Sequence, residues 1–143
     1  NVLIALAESC TGGMITAALT DISGSSAVLD RGYVTYSNQA KIDILGVSKA
    51  TLEQHGAVSE QTARAMVEGT LNAAPLADLA LSVTGIAGPS GGSPEKPVGL
   101  VHIAAASANA TIHERCQFEG DRHAVRLASA FKALEMMTNL AEQ

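Results

Sequence analysis

Three side chains of this sequence combine into a nucleophile and its proton carriers: Ser9, Tyr36 and Lys41. Ser9 sits in Ala7-Glu8-Ser9-Cys10-Thr11-Gly12-Gly13. There a continuous apolar run at residues 2–7, read as a buried strand, gives way to helical spacing over residues 12–22. A strand-to-helix turn presents its side chains at the carboxyl edge of an α/β sheet, where such sheets bind ligands. A serine placed there becomes a nucleophile when a neighbouring base takes its proton. His55, His102, His113 and His123 are scattered and stand in no motif, so a Ser-His-Asp triad is not supported. Lys41 is the better base. It falls in the first turn of a helix capped by Ser37 or Asn38, and the positive helix end and partial burial both disfavour an ammonium. Tyr36 closes the preceding strand, which places its hydroxyl to bridge Ser9 and Lys41 or to feed a proton to a leaving group. The N–H groups of Thr11, Gly12 and Gly13, at the start of the helix, are the expected donors to developing negative charge.

Each residue also has a plainer reading. Ser9 alone reads as a helix cap, Tyr36 as a half-buried strand residue and Lys41 as a solvated helix residue; only their joint occurrence favours chemistry. Cys10 is either a reactive thiol beside a helix N-terminus or a small buried side chain. Glu8 either holds a ring or a helix N–H, or is an ordinary exposed carboxylate.

The elements that must position these residues follow from pattern. Residues 28–36 read as a second strand. A helix ending near Gly46, a short helix from Ser48 to about His55 and a longer one capped by Ser59 and closed by Pro75 come next. Residues 79–83 alternate with the strand period. Residues 85–97 form a long Gly- and Pro-rich loop, a length that is functional or disordered in compact domains. Residues 98–106 read as a buried strand. Residues 111–118 read as a more exposed one, with Ile112, Cys116 and Phe118 on one face and His113, Arg115 and Gln117 on the other. Asp121 caps a final helix whose inward residues are expected to be Val125, Ala128, Phe131 and Leu134. The order implies a three-layer α/β/α sandwich on a mixed, mostly parallel sheet, with residues 1–143 as a single domain.

Composition excludes several function classes. The net charge is -5, and no Lys- or Arg-rich window exists, so neither nucleic acid nor an anionic membrane is an expected partner. Apolar residues reach 47% while aromatics are only 3%, so Ala, Leu, Ile and Val must build the core. Two cysteines without C-x-x-C and four histidines without ligand spacing make a disulfide framework or a protein-held metal unexpected. No run of 18 apolar residues spans a membrane. The opening Asn1-Val2-Leu3-Ile4-Ala5-Leu6 does not read as a signal peptide, and a cytoplasmic location is expected.

The motifs then fall into register with a known family. Ala7 to Gly13, Gly32-Tyr33-Val34-Thr35-Tyr36-Ser37-Asn38 with Lys41 and Gly46-Val47, and Gly56-Ala57-Val58-Ser59 resemble the CinA C-terminal domain family. So do Ser82-Val83-Thr84-Gly85-Ile86-Ala87-Gly88-Pro89 with Gly91-Gly92, Pro97 to Val101, and Gly120-Asp121-Arg122. The resemblance covers nearly the whole chain. It implies a nicotinamide-nucleotide amidase, which hydrolyses the carboxamide of nicotinamide mononucleotide (NMN) to nicotinate mononucleotide and ammonia without a cofactor. The family's catalytic Ser, Tyr and Lys fall on Ser9, Tyr36 and Lys41. Thr84, Gly85, Gly88 and Arg122 are then candidates for the substrate phosphate, with Arg126 a weaker one. The second, N-terminal domain often found in the family is not expected within these 143 residues. Two other classes stay open: a non-catalytic nucleotide-binding module, and a partner-recruiting domain. The last helix is a candidate for packing a homo-oligomer, against the simpler reading that it packs on the sheet.

Overall fold

A computed structural model describes residues 2–143. Five strands, β1 (Ile4–Glu8), β2 (Leu29–Val34), β3 (Leu79–Gly85), β4 (Leu100–Ala106) and β5 (Thr111–Gln117), form one sheet in the order β2-β1-β3-β4-β5. β1 pairs in parallel with β2 and β3, while β4 is antiparallel to both β3 and β5. Four strands therefore point one way and β4 alone opposes them, so the sheet is mixed, as expected. Residue alternation divides the strands between two helical layers. Leu6, Leu81, Val83, Val101, Ile103 and Ala105 face a core shared with α1 (Met14–Thr20) and α5 (Arg122–Ala141). Ala7, Ala80, Ala104 and Ala106 face α2 (Asn38–Leu45), α3 (Lys49–His55) and α4 (Glu60–Ala73). The small residues on that second face let α4 lie close to the sheet.

The helix boundaries have local causes. The hydroxyls of Ser37, Ser48 and Ser59 accept the third-residue amides of α2, α3 and α4, and the Asp121 carboxylate does the same for α5. Gly46 ends α2 in the left-handed region, at φ 68. α4 carries Gly69 where a Cβ would lie 1.9 Å from the Leu45 carbonyl oxygen, so only glycine lets α2 rest against it.

Two expectations need correction. Phe131 is not inward but 70% exposed; α5 buries Val125, Ser129, Ala133, Met136, Met137 and Leu140 instead. At 3.6 residues per turn, Phe131 falls on the far side of that stripe. A short 3-10 turn at Ser25–Ala27, between α1 and β2, was not anticipated. Among the described residues no helix is long and apolar enough to cross a membrane.

Candidate active site

β1 ends at Glu8, and the chain turns sharply through Ser9 to Gly13 before α1 begins. The Ser9 N–H donates to the Val83 carbonyl at 3.0 Å, which ties the turn to β3. Ser9 does not cap α1; the cap position is Gly13, in the left-handed region, with no side-chain cap. The helix end is served by Glu8, whose buried carboxylate accepts from the Ile15 and Thr16 amides at 3.0 and 2.9 Å. It also accepts from the Thr11 and Thr16 hydroxyls, each at 2.6 Å. The acid that the sequence places directly before the turn is thus the anion that the helix start attracts.

Ser9 and Lys41 meet. Lys41 is 1% exposed, on the first turn of α2, and its Nζ lies 3.0 Å from Ser9 Oγ. Two other Lys41 contacts are main-chain carbonyls, Thr35 at 2.9 Å and Tyr36 at 3.2 Å. Lys41 donates to all three oxygens, and the Ser9 hydroxyl donates to the Tyr36 carbonyl at 3.4 Å; a neutral amine can keep its two N–H bonds on the carbonyls and offer its lone pair to Ser9. Burial pulls the Lys41 pKa down from 10.5 to about 8, against a smaller opposing pull from Cys10. Cys10 is buried, and burial raises its thiol to about 11, which keeps it protonated at neutral pH.

Tyr36 is not where the sequence reading put it. Its hydroxyl does not bridge Ser9 and Lys41; its main-chain carbonyl takes that position. The ring is 59% exposed, and its hydroxyl accepts from Arg122 Nη2 at 3.4 Å. Tyr36 lies two residues beyond the last residue of β2, where its carbonyl turns inward toward Lys41 and its ring outward to solvent.

A cavity of about 250 Å³ opens over Ser9 and Lys41. Of the residues singled out by sequence, Ser9, Cys10, Tyr36, Lys41, Thr84, Gly85 and Arg122 line it. Thr11, Gly12, Gly13 and Gly88 do not. Thr11 is fully buried on Glu8, and the Gly12 N–H is spent on the Ser9 carbonyl at 3.0 Å. The α1 terminus therefore serves Glu8 rather than the cavity. Gly88 acts one step back, its carbonyl accepting from Arg122 Nη1 at 2.8 Å. The Thr84 hydroxyl is committed to the Ala57 carbonyl at 2.8 Å. Six further lining residues received no role from the sequence: Ala57, Val58, Ile86, Ala87, Ser90 and Gly91. The Gly56 to Ser59 motif was the available signal for the first two. Arg126 does not line the cavity; its Nε and Nη2 donate to the carbonyls of Cys10 and Thr11.

The family profile described as the CinA C-terminal domain matches residues 1–141. This chain belongs to that family. A nicotinamide-nucleotide amidohydrolase PncC from Enterobacter agglomerans is 57% identical over 133 residues, covering 92% of this chain and 80% of that protein. A CinA-like protein from Anaeromyxobacter dehalogenans is 52% identical over 134 residues, covering 94% of this chain but only 33% of the relative. The chain thus spans most of the first relative and about a third of the longer CinA-like proteins. Among solved structures, the competence/damage inducible protein CihA from Agrobacterium tumefaciens superposes with a TM-score of 0.95 at 52% identity, over 98% of this chain and 86% of that one. A CinA superfamily protein from Escherichia coli gives 0.92 at 34% identity, over 97% and 80%.

Proposed function

We propose that this CinA-family chain is a nicotinamide-nucleotide amidase that releases ammonia from NMN by covalent catalysis at Ser9. The observation that carries the reading is the buried Lys41 amine 3.0 Å from Ser9 Oγ, with its pKa held near 8. The relative named as a nicotinamide-nucleotide amidohydrolase, 57% identical over most of both chains, supports the substrate.

Neutral Lys41 takes the Ser9 proton as Oγ adds to the carboxamide carbon. The resulting ammonium hands that proton to the departing nitrogen, and ammonia leaves. Water then adds to the acyl-enzyme ester as Lys41 takes its proton; the C–Oγ bond breaks, the Lys41 ammonium returns that proton to Ser9 Oγ, and the acid product departs. The Thr35 and Tyr36 carbonyls hold Lys41 throughout. The Tyr36 ring and Arg122 form the cavity wall, where Arg122 meets the nucleotide phosphate; a guanidinium suits that group through paired N–H bonds. Thr84, Gly85 and the loop residues Ser90 and Gly91 complete the enclosure.

Ammonia release from NMN by the unmodified protein, Ser9→Ala and Lys41→Met tests this. Turnover should be lost in both variants. A Ser9→Ala protein that hydrolyses NMN at the original rate would end the proposal, and loss in Cys10→Ala with an active Ser9→Ala would move the nucleophile by one residue. NMN binding without ammonia release from the unmodified protein would favour a nucleotide-binding module.

A further inference from the structure

Arg126 lies on α5, one turn beyond Arg122, and grips the turn that carries Ser9. Its Nε donates to the Cys10 carbonyl and its Nη2 to the Thr11 carbonyl, both at 3.1 Å. Two successive peptide units are therefore held by one planar fork. The same turn is fixed from two other sides, by Ser9 N–H on the Val83 carbonyl and by Gly12 N–H on the Ser9 carbonyl, each at 3.0 Å. The peptide bond is planar and trans, so the Cys10 N–H points opposite to the Ser9 carbonyl that Gly12 occupies. Among the described residues no main-chain carbonyl accepts that N–H, whose near neighbour is the Cys10 sulfur itself, and Cys10 lines the cavity beside Ser9. In strand-to-helix nucleophile turns, the N–H following the nucleophile is a ready oxyanion donor.

We propose that the Cys10 N–H, rather than the amides of Thr11 to Gly13, receives the oxyanion, and that Arg126 is the positioning residue that fixes it indirectly, by holding the carbonyls of the two peptide units that follow. The proposal rests on Ser9 as the nucleophile. As Ser9 Oγ bonds to the carboxamide carbon, the carbonyl π pair moves onto oxygen. The alkoxide is met by a donor already aimed, which removes reorganisation from the barrier. Arg126 reaches the reaction only through the Cys10 and Thr11 carbonyls, so its removal acts on the transition state and leaves ground-state binding intact.

Steady-state NMN hydrolysis by Arg126→Ala and Arg126→Lys, beside Ser9→Ala, is the test, with folding checked by circular dichroism. For Arg126→Ala we expect kcat to fall by about 10²-fold, the scale of one lost oxyanion donor. KM for NMN should stay within about twofold, as expected when only transition-state stabilisation is lost. Arg126→Lys should fall in between, because an ammonium lacks the fork that spans two carbonyls. Added guanidinium at concentrations below those that unfold the protein should restore part of the Arg126→Ala turnover. An unchanged kcat overturns the proposal. So does a raised KM at constant kcat, which would make Arg126 a phosphate ligand. If Arg126→Ala does not fold, the Arg126→Lys result decides by the same criteria. Full activity in Ser9→Ala would instead defeat the amidase reading itself, so the two failures are distinguishable.

Discussion

Lys41 must be neutral to take the Ser9 proton, and burial sets the pH at which it becomes so. With its pKa near 8, about a tenth of Lys41 is neutral at pH 7. The expected kcat/KM for NMN therefore rises with pH and levels off above about 8, and a profile flat from pH 6 to 9 would remove Lys41 as the base. The same burial has a stability signature. Below about pH 8 the folded and unfolded chains both carry the proton, and the folded chain bears the full desolvation cost, on the order of 3 kcal/mol. Between about 8 and 10.5 the unfolded chain binds more protons, so stability rises with pH. Lys41→Met should accordingly be inactive yet melt at least as high as the unmodified protein at pH 7, with that advantage vanishing toward pH 10. Arg122 makes a separate prediction. It stands at the cavity wall on the Gly88 carbonyl and the Tyr36 hydroxyl. Arg122→Ala should raise KM for NMN about tenfold or more, the scale of a hydrogen bond to a charged group, and lower kcat less.

At the scale of elements, Lys41 reaches Ser9 because α2 lies hard against α4. Gly69 is the contact, with a Cβ placed there 1.9 Å from the Leu45 carbonyl oxygen at the end of α2. The neighbour is backbone and cannot swing aside. Gly69→Ala should therefore cost about 3 kcal/mol, at the upper end of overpacking, and lower kcat by shifting α2 and Lys41. Thermal melts and NMN kinetics on the same preparation would check both effects, and a neutral substitution would show that α2 has room to move. The caps Ser59 and Asp121, and Ser37 as one of two candidates, were legible in sequence because each is a local event; like Ser48, they bond amides three residues on. The start of α1 was not. Glu8 lies outside the helix and reaches Ile15 and Thr16 only because the turn folds back, and capping rules that count along the helix do not see it.

For the molecule as a whole, a buried histidine pair couples the sheet to α4. His102 Nδ1 and His113 Nε2 are 2.9 Å apart on neighbouring strands, and His113 Nδ1 lies 3.7 Å from the Glu60 carboxylate. Burial holds the His102 pKa down to about 4, helped by His113, Arg115 and Lys96 and opposed by Glu60. Between about pH 6.5 and 4 the unfolded chain takes the proton and the folded chain does not, so stability should fall as pH falls through that window. His102→Gln should flatten the fall, as followed by chemical denaturation at pH 7, 5.5 and 4.5. On the opposite helical layer, Leu127 and Phe131 stand exposed on α5, the helix for which sequence offered two readings, contact with a second copy and simple packing on the sheet.

Sequence by itself determined the strands, the longer helices, most of their caps and the family, because these follow from residue period, local hydrogen bonds and motifs in register. It also named Ser9 and Lys41, since a serine at a strand-to-helix turn and a lysine on a first helical turn are local facts. Tertiary structure decided what those residues touch. The separation of 3.0 Å between Ser9 and Lys41, the Tyr36 carbonyl in place of its hydroxyl, and the Arg126 grip on the turn all join segments far apart in the chain. Local pattern fixes where a side chain starts. Only the packing of α2 on α4 and of α5 on the sheet fixes where it ends.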